Sequence, residues 1–345
     1  MYVKKKKSIE LINKKEINLG IQILRVILSF MVVLDHLYNK KKLEKYYYIL
    51  YYHIPSFFLL SFYYTVNILT SFNIKKIKFR FERLIVPYIG WSILGFFLKK
   101  IYYFLNLGKN YTLKDFVKHL ICGHILNVPL WYQVILILTT IFFLMIIFIF
   151  PNNNLFVFHI LFIISYIAQY SGFNYYFFKK YLSLHPRLTF GRFLEAIPNS
   201  ITGYTFAKYK IIDVLQQNRL KTIFFSFSFL IIISKFSIFD NLKTFKYGGI
   251  RLNIAASCIF ILFSLIPIKE LKNITLKQYI IQITSFTGGI YYIHFLVGNG
   301  YLIKKILKAL NKTILGCFII YLICYLICYF GIKLFGKNKL KYMFI

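Results

Sequence analysis

The chain has 345 residues, 59% of them hydrophobic, and a mean hydropathy of +0.63. A soluble domain of this length would not be so apolar, and windows of about 20 apolar residues, each long enough to cross a bilayer, recur from end to end. Its 44 Lys and Arg stand against 10 Asp and Glu, a formal net charge of +34, and because that excess sits in short loops between apolar runs it points to anionic lipid headgroups rather than nucleic acid.

The same charge also follows from a composition crowded with Lys, Ile, Phe, Asn and Tyr, the residues of A+T-rich codons. Four of the five cysteines lie in apolar runs without disulfide-framework or metal-ligand spacing, so no redox role is expected. Residues 1–19 form a basic segment with Lys4 to Lys7. No small-residue cleavage site follows the apolar run from Ile21, which reads as a retained first helix rather than a signal peptide.

The hydropathy pattern predicts an all-α fold, a polytopic transmembrane bundle forming a single domain over 1–345, with about ten spans. They run roughly over 20–38, 51–72, 84–105, 129–150, 155–171, 188–207, 221–239, 251–267, 280–298 and 313–335, leaving a short tail at 336–345. Breaks fall at Lys-rich runs, at Pro151 to Asn154 and at Gly248-Gly249. An even count puts both termini on one side. Lys and Arg divide almost evenly between the two sides, but the two densest clusters, Lys4 to Lys7 and the loop from Lys75 to Arg83, share the N-terminal side. By the positive-inside rule both termini are expected in the cytoplasm of a multi-pass cell-membrane protein. The less apolar stretch Tyr111 to Val128, with Asp115, Lys118, His119 and His124, reads as an interfacial helix on the outer side.

Span one carries Arg25 and His36. Eleven residues of α-helix rise about 16.5 Å and leave a net rotation of about 20°, so both side chains share a face. An arginine inside a span costs at least ~2.5–3.5 kcal/mol on insertion scales. Two readings stay open: the pair snorkels to opposite interfaces, or it faces a shared interior where a ligand phosphate or a buried carboxylate offsets the charge. Asp35 is a functional suspect as an acidic residue in a span, but it points about 100° away from His36.

Span two opens with His53-Ile-Pro55-Ser-Phe57-Phe58-Leu-Leu-Ser61. As the second arm of a hairpin it sets His53 at the depth of His36, either as a partner sharing a proton or as a lone interfacial imidazole. Arg80 and Arg83, three apart before span three, can grip one phosphate together or serve as a plain positive flank. In span six, Arg192 and Glu195 form an i,i+3 pair that neutralises itself in lipid or binds an acceptor. Span nine carries Gly288-Gly289 and His294, the latter in the outer half. His119-x-x-Cys122-x-His124 fits no standard metal site, and no metal is expected.

Together these residues resemble the integral-membrane acyltransferase family often called acyltransferase 3. Arg25 through His36 is similar to its Arg-x10-His signature, His53 to Ser61 to its "H-x-P-x-F-F-x-x-S-G" segment, and Arg80-x-x-Arg83 followed by Pro87-Tyr88 to its cytoplasmic Arg-x-x-Arg loop. Leu130-Trp131-Tyr132, Arg192 to Tyr204 and Gly289 to His294 match weaker patterns in the same order, so the resemblance covers nearly the whole chain. Where the pattern has Ser-Gly this chain has Ser61-Phe62, which removes a close helix approach at that glycine.

The resemblance implies transfer of an acyl group, often acetyl, from acyl-coenzyme A to a hydroxyl of a cell-surface sugar or polysaccharide. The acyl-coenzyme A is a co-substrate, with no permanently bound cofactor. On that chemistry Arg25 and His36 are the catalytic candidates, His36 as general base, and Arg80 and Arg83 bind donor phosphates. His53, Ser61, Arg192, Glu195, His294 and Asp35 hold or support the acceptor. The alternative is a transporter, flippase or exporter of a glycan or lipid-linked intermediate. Buried charges suit it equally well, although paired Gly/Pro-broken helices are not evident.

Overall fold

The computed structural model describes residues 18–38, 52–107, 112–122, 130–170, 186–235, 250–266, 274–298, 313–336 and 338–345. Among them every regular element is helical. In chain order these are α1 (Leu19–Leu37), α2 (His53–Thr70), α3 (Ile74–Leu107), α4 (Leu113–Cys122), α5 (Trp131–Ile149), α6 (Asn154–Tyr170) and α7 (Pro186–Lys208). They continue with α8 (Ile211–Gln217), α9 (Arg219–Lys235), α10 (Ile250–Ser264), α11 (Ile274–Ser285), α12 (Thr287–Gly298) and α13 (Ile314–Phe335), and close with a 3-10 helix, Lys339–Phe344. The Lys4–Lys7 cluster, the Gly248-Gly249 break and His124 lie outside the described residues, as do the side chains of Asp115, Lys118, His119 and Cys122.

Each expected span overlaps a helix. Four segments, Leu19–Leu37, Ile74–Leu98, Trp131–Ile149 and Ile314–Phe335, are long and apolar enough to cross a membrane. Asn154–Ala168 and Ile250–Ser264 are apolar but shorter. The long helices α2 and α7 fall below that hydropathy because they carry the polar interior, including His53, Ser56 and Thr65 on one and Asn199 and Ser200 on the other, all buried. Such residues belong inside a bundle rather than against lipid. Asn253 Nδ2 donates to Asn199 Oδ1 at 2.7 Å, and the Tyr204 hydroxyl donates to Asn154 Oδ1 at 3.3 Å, tying α7 to α10 and α6.

Two expected boundaries differ. The basic run Lys75 to Arg83, read as a loop, is helical. Residues 71–73 make a tight turn with Phe72 at φ 46°, and Asn73 Oδ1 accepts from the Lys76 amide at 3.1 Å, capping a helix that starts ten residues before the apolar run. Span nine is two helices, broken at Phe286. There the Ser285 hydroxyl donates to the Gln282 carbonyl at 2.7 Å and the Thr287 hydroxyl to the Thr284 carbonyl at 2.9 Å, satisfying carbonyls at the break.

Helix α1 is the hub. It packs against α2, α10, α11, α12 and α13. Asn18 caps it, accepting from the Ile21 amide at 3.1 Å while its Nδ2 donates to the Ser264 carbonyl at 2.7 Å. The most extensive helix pair is α2 with α7. Its closeness comes from Gly203, whose Cβ position is occupied by the Leu59 carbonyl of α2. Phe62 of α2 is itself buried and packs on Phe143 of α5, with 4.3 Å between ring centroids.

The outer surface is apolar. Phe97, Met145, Phe148, Ile167, Phe224, Phe225, Leu326 and Phe330 are all exposed on the flanks of α3, α5, α6, α9 and α13. Their spread over many helices is the surface of a bundle whose solvent is hydrocarbon rather than water.

A leucine at Gly203 must displace the α2 backbone, since the obstructing atom is a carbonyl oxygen. Gly203→Leu is expected to cost at least ~1–3 kcal/mol, the usual range for overpacking. This will read out as a lower melting temperature and reduced monodisperse yield in detergent. A variant as stable as the parent would mean that α2 and α7 are not in this contact.

Candidate functional site

Three arginines from two helices converge on one cavity of about 410 Å³. Arg25 comes from α1, and Arg80 and Arg83 from the first turns of α3. Ser61 and Tyr64 of α2, Tyr132 and Gln133 of α5, and Thr287 and Tyr291 of α12 complete much of the wall. Among the described residues lining it none is acidic.

The guanidiniums are held by neutral groups. Arg25 donates from Nη1 to Gln22 Oε1 at 3.2 Å and from Nη2 to Thr287 Oγ1 at 3.3 Å. The Gln22 amide in turn donates to the Tyr64 hydroxyl at 3.4 Å. Arg80 donates from Nη2 to Ser61 Oγ and to Thr140 Oγ1, both at 3.1 Å, and lies 5.7 Å from the centre of the Phe62 ring. Thr140 spends its own proton on the Leu136 carbonyl at 2.7 Å, which turns its lone pairs towards Arg80. Arg83 is exposed at the mouth, 5.8 Å from the centre of the Phe79 ring. Hydrogen bonds to charged groups contribute roughly 1.5–3 kcal/mol each, so these hydroxyls offset desolvation without neutralising charge. The cavity keeps an anion-attracting field in a low-dielectric wall.

At the other end of α1, His36 and His294 meet edge to face, with ring centroids 5.1 Å apart. His36 Nδ1 donates to the Val32 carbonyl at 2.9 Å, and His294 Nδ1 to the Ile290 carbonyl at 3.1 Å. In each neutral ring the lone pair is then on Nε2. Asp35 is buried, and its carboxylate lies 3.9 Å from His36 Nδ1, beyond hydrogen-bond length, as the 100° turn between neighbouring helix residues requires. His53 is buried as the first residue of α2.

The sequence-derived residues thus divide. Arg25, Ser61, Arg80 and Arg83 share the cavity; His36, His294 and Asp35 gather beyond it. An aromatic run joins the two groups: Tyr132 to Tyr291 at 5.5 Å, and Tyr291 to His294 at 6.1 Å between centroids. Arg192 and Glu195 are not among the cavity's lining residues. The Arg192 guanidinium instead lies 3.8 Å from the centre of the Trp131 ring, a cation–π contact strong in a desolvated setting. Asn199 donates to the Glu195 backbone carbonyl at 2.9 Å.

Sequence reasoning did not single out Gln22, Tyr64, Thr140, Gln133 or Thr287. Thr139-Thr140 and Gln133 do carry a signal: they are polar residues within Trp131–Ile149, the most apolar of the four membrane-length helices. Gln133 Nε2 donates to the Leu84 carbonyl at 2.9 Å, which ties α5 to α3 three residues before Pro87. Comparisons with family models, with curated proteins and with solved structures found no match to this chain.

Proposed function

We propose that the protein is a membrane-embedded O-acyltransferase that moves an acyl group, acetyl in the simplest case, from acyl-coenzyme A to a hydroxyl of a cell-surface sugar or polysaccharide. The observation that carries this reading is the convergence of Arg25, Arg80 and Arg83 on one cavity with no acidic side chain among its described lining residues, joined by aromatic rings to a pair of imidazoles. The resemblance of the same residues to the acyltransferase 3 pattern supports it. In the proposed arrangement about ten spans cross the cell membrane with both termini in the cytoplasm. The arginine mouth then faces the cytoplasm, where acyl-coenzyme A is found.

The donor's phosphates lie on Arg80 and Arg83, whose charge is unspent on any acid in the cavity wall. The thin thioester arm runs past Tyr132 and Tyr291 towards His36. There His36 Nε2 takes the proton of the acceptor hydroxyl as its oxygen attacks the thioester carbonyl carbon. The tetrahedral intermediate collapses with cleavage of the carbon–sulfur bond, and the thiolate leaves with the proton returned by the imidazolium. The Val32 carbonyl fixes the tautomer that this step needs. His294, in ring contact with His36, and His53 orient the acceptor or stabilise the developing oxyanion.

His36→Ala should lower acyl transfer by about 10²–10⁴-fold, the usual weight of a general base, with the variant still inserted and folded. Transfer of labelled acetyl from acetyl-coenzyme A to surface glycan measures it, and undiminished product acylation removes His36 from the role. Movement of a glycan across proteoliposomes with no label incorporated would instead mark a carrier.

Arg80→Ala combined with Arg83→Ala should weaken binding of acyl-coenzyme A in detergent by at least tenfold, the equivalent of one charge-assisted hydrogen bond at about 1.4 kcal/mol or more. Affinity for the acceptor sugar should be unchanged. Equal affinity of parent and double variant for the donor would overturn the assignment of these arginines.

A further inference from the structure

The tail at 338–345 does not trail away from the bundle. Its 3-10 helix packs against α3, α12 and α13. Trp91 Nε1 donates to the Met343 carbonyl at 2.9 Å, Lys339 Nζ meets Glu82 Oε1 at 2.6 Å, and the Phe344 ring lies parallel to Phe335 with centroids 5.9 Å apart. On α12, the Cβ positions of Gly288 and Gly289 are occupied by the backbone of Ile345 and Phe344. A bulkier pair there would expel the segment, so α12 has a seat shaped for it.

That seat brings Tyr342 into the wall of the arginine cavity, beside Phe79, Arg80 and Arg83. The Tyr342 ring stands edge-on to Phe79 with centroids 5.9 Å apart, and Lys341 Nζ lies 5.6 Å from the Tyr342 ring centre. Phosphates alone need cations. Two aromatic rings set among those cations are what a planar base attached to phosphates would use, since any base offers a π-face and stacking is tolerant of its identity.

We infer that the tail completes the cavity as a nucleotide site, in which Tyr342, with Phe79, takes the purine base of a ligand whose phosphates rest on Arg80 and Arg83. This rests on the acyl-coenzyme A reading and adds to it the residues that recognise the adenine end. Tyr342 is then a positioning residue for the donor, remote from the reacting carbonyl.

The test uses the full chain in detergent and two probes, adenosine diphosphate and inorganic pyrophosphate, titrated calorimetrically. The parent is expected to bind the nucleotide more tightly than pyrophosphate. Tyr342→Ala should weaken the nucleotide about tenfold, a typical effect of removing one stacking ring, and leave pyrophosphate unchanged. Tyr342→Phe, which keeps the ring, should retain the parent's preference. Nucleotide affinity unchanged in Tyr342→Ala overturns the inference and leaves the donor reading standing. So does a parallel loss of both probes, because Tyr342 would then support the arginines rather than hold a base. A parent that binds neither probe overturns the donor reading and this inference with it.

Discussion

The structure turns on how two guanidiniums are kept inside an apolar bundle with no acidic side chain among the described residues of the cavity wall. Arg25 rests on Gln22 and Thr287, and Arg80 on Ser61, Thr140 and the face of Phe62. A carboxylate in either place would satisfy the cation and also cancel it. Hydroxyls, an amide and a ring satisfy it and leave the charge in force. In a wall of low dielectric that residual charge acts over the whole cavity, which makes the polar atoms of α2, α5 and α12 part of the site even where they would never touch a ligand.

The same constraint explains why α1 is both the hub and the carrier of the extremes. Five helices pack around it. Asn18 fixes its start to the Ser264 carbonyl, and the Ser29 hydroxyl meets the Tyr321 hydroxyl at 2.9 Å near its middle. Held in this way, the helix keeps the distance between Arg25 and His36 near the ~16.5 Å that eleven residues impose. Helix α12 repeats the device, with Thr287 on Arg25 at one end and His294 on His36 seven residues later. Two helices packed on each other therefore connect the cation cluster to the imidazoles, and a change in the tilt of either would alter both ends together.

Much of this was legible in the residues themselves. The helical class follows from the apolar windows, and the shared face of Arg25 and His36 follows from helix geometry alone. The convergence of Arg80 on Ser61 joins residues 19 apart across the α2–α3 hairpin, a pairing the sequence did not suggest, since Ser61 was assigned to the acceptor and Arg80 to the donor. Thr140 and Thr287 were illegible for a physical reason: a hydroxyl in a membrane helix commonly bonds its own preceding turn, as Thr139 does with the Ile135 carbonyl at 2.7 Å. Only the fold shows which hydroxyl also faces a cation. Arg192 shows the same limit: its i,i+3 neighbour Glu195 is an expected partner in sequence and does act on it electrostatically, whereas its contact with the face of Trp131, 61 residues away in the chain, is visible only in the fold.

Phe62 shows how one side chain serves local chemistry and packing together. A glycine there would offer Arg80 no ring and would leave Phe143 without this partner. Phe62 gives that ring and fills space against Phe143, while the close approach of α2 and α7 is made at a different place on α2. Gly203 supplies it, one side chain short where the Leu59 carbonyl needs to be. Through Phe62 the arginine has a neutral neighbour that satisfies it without cancelling its charge.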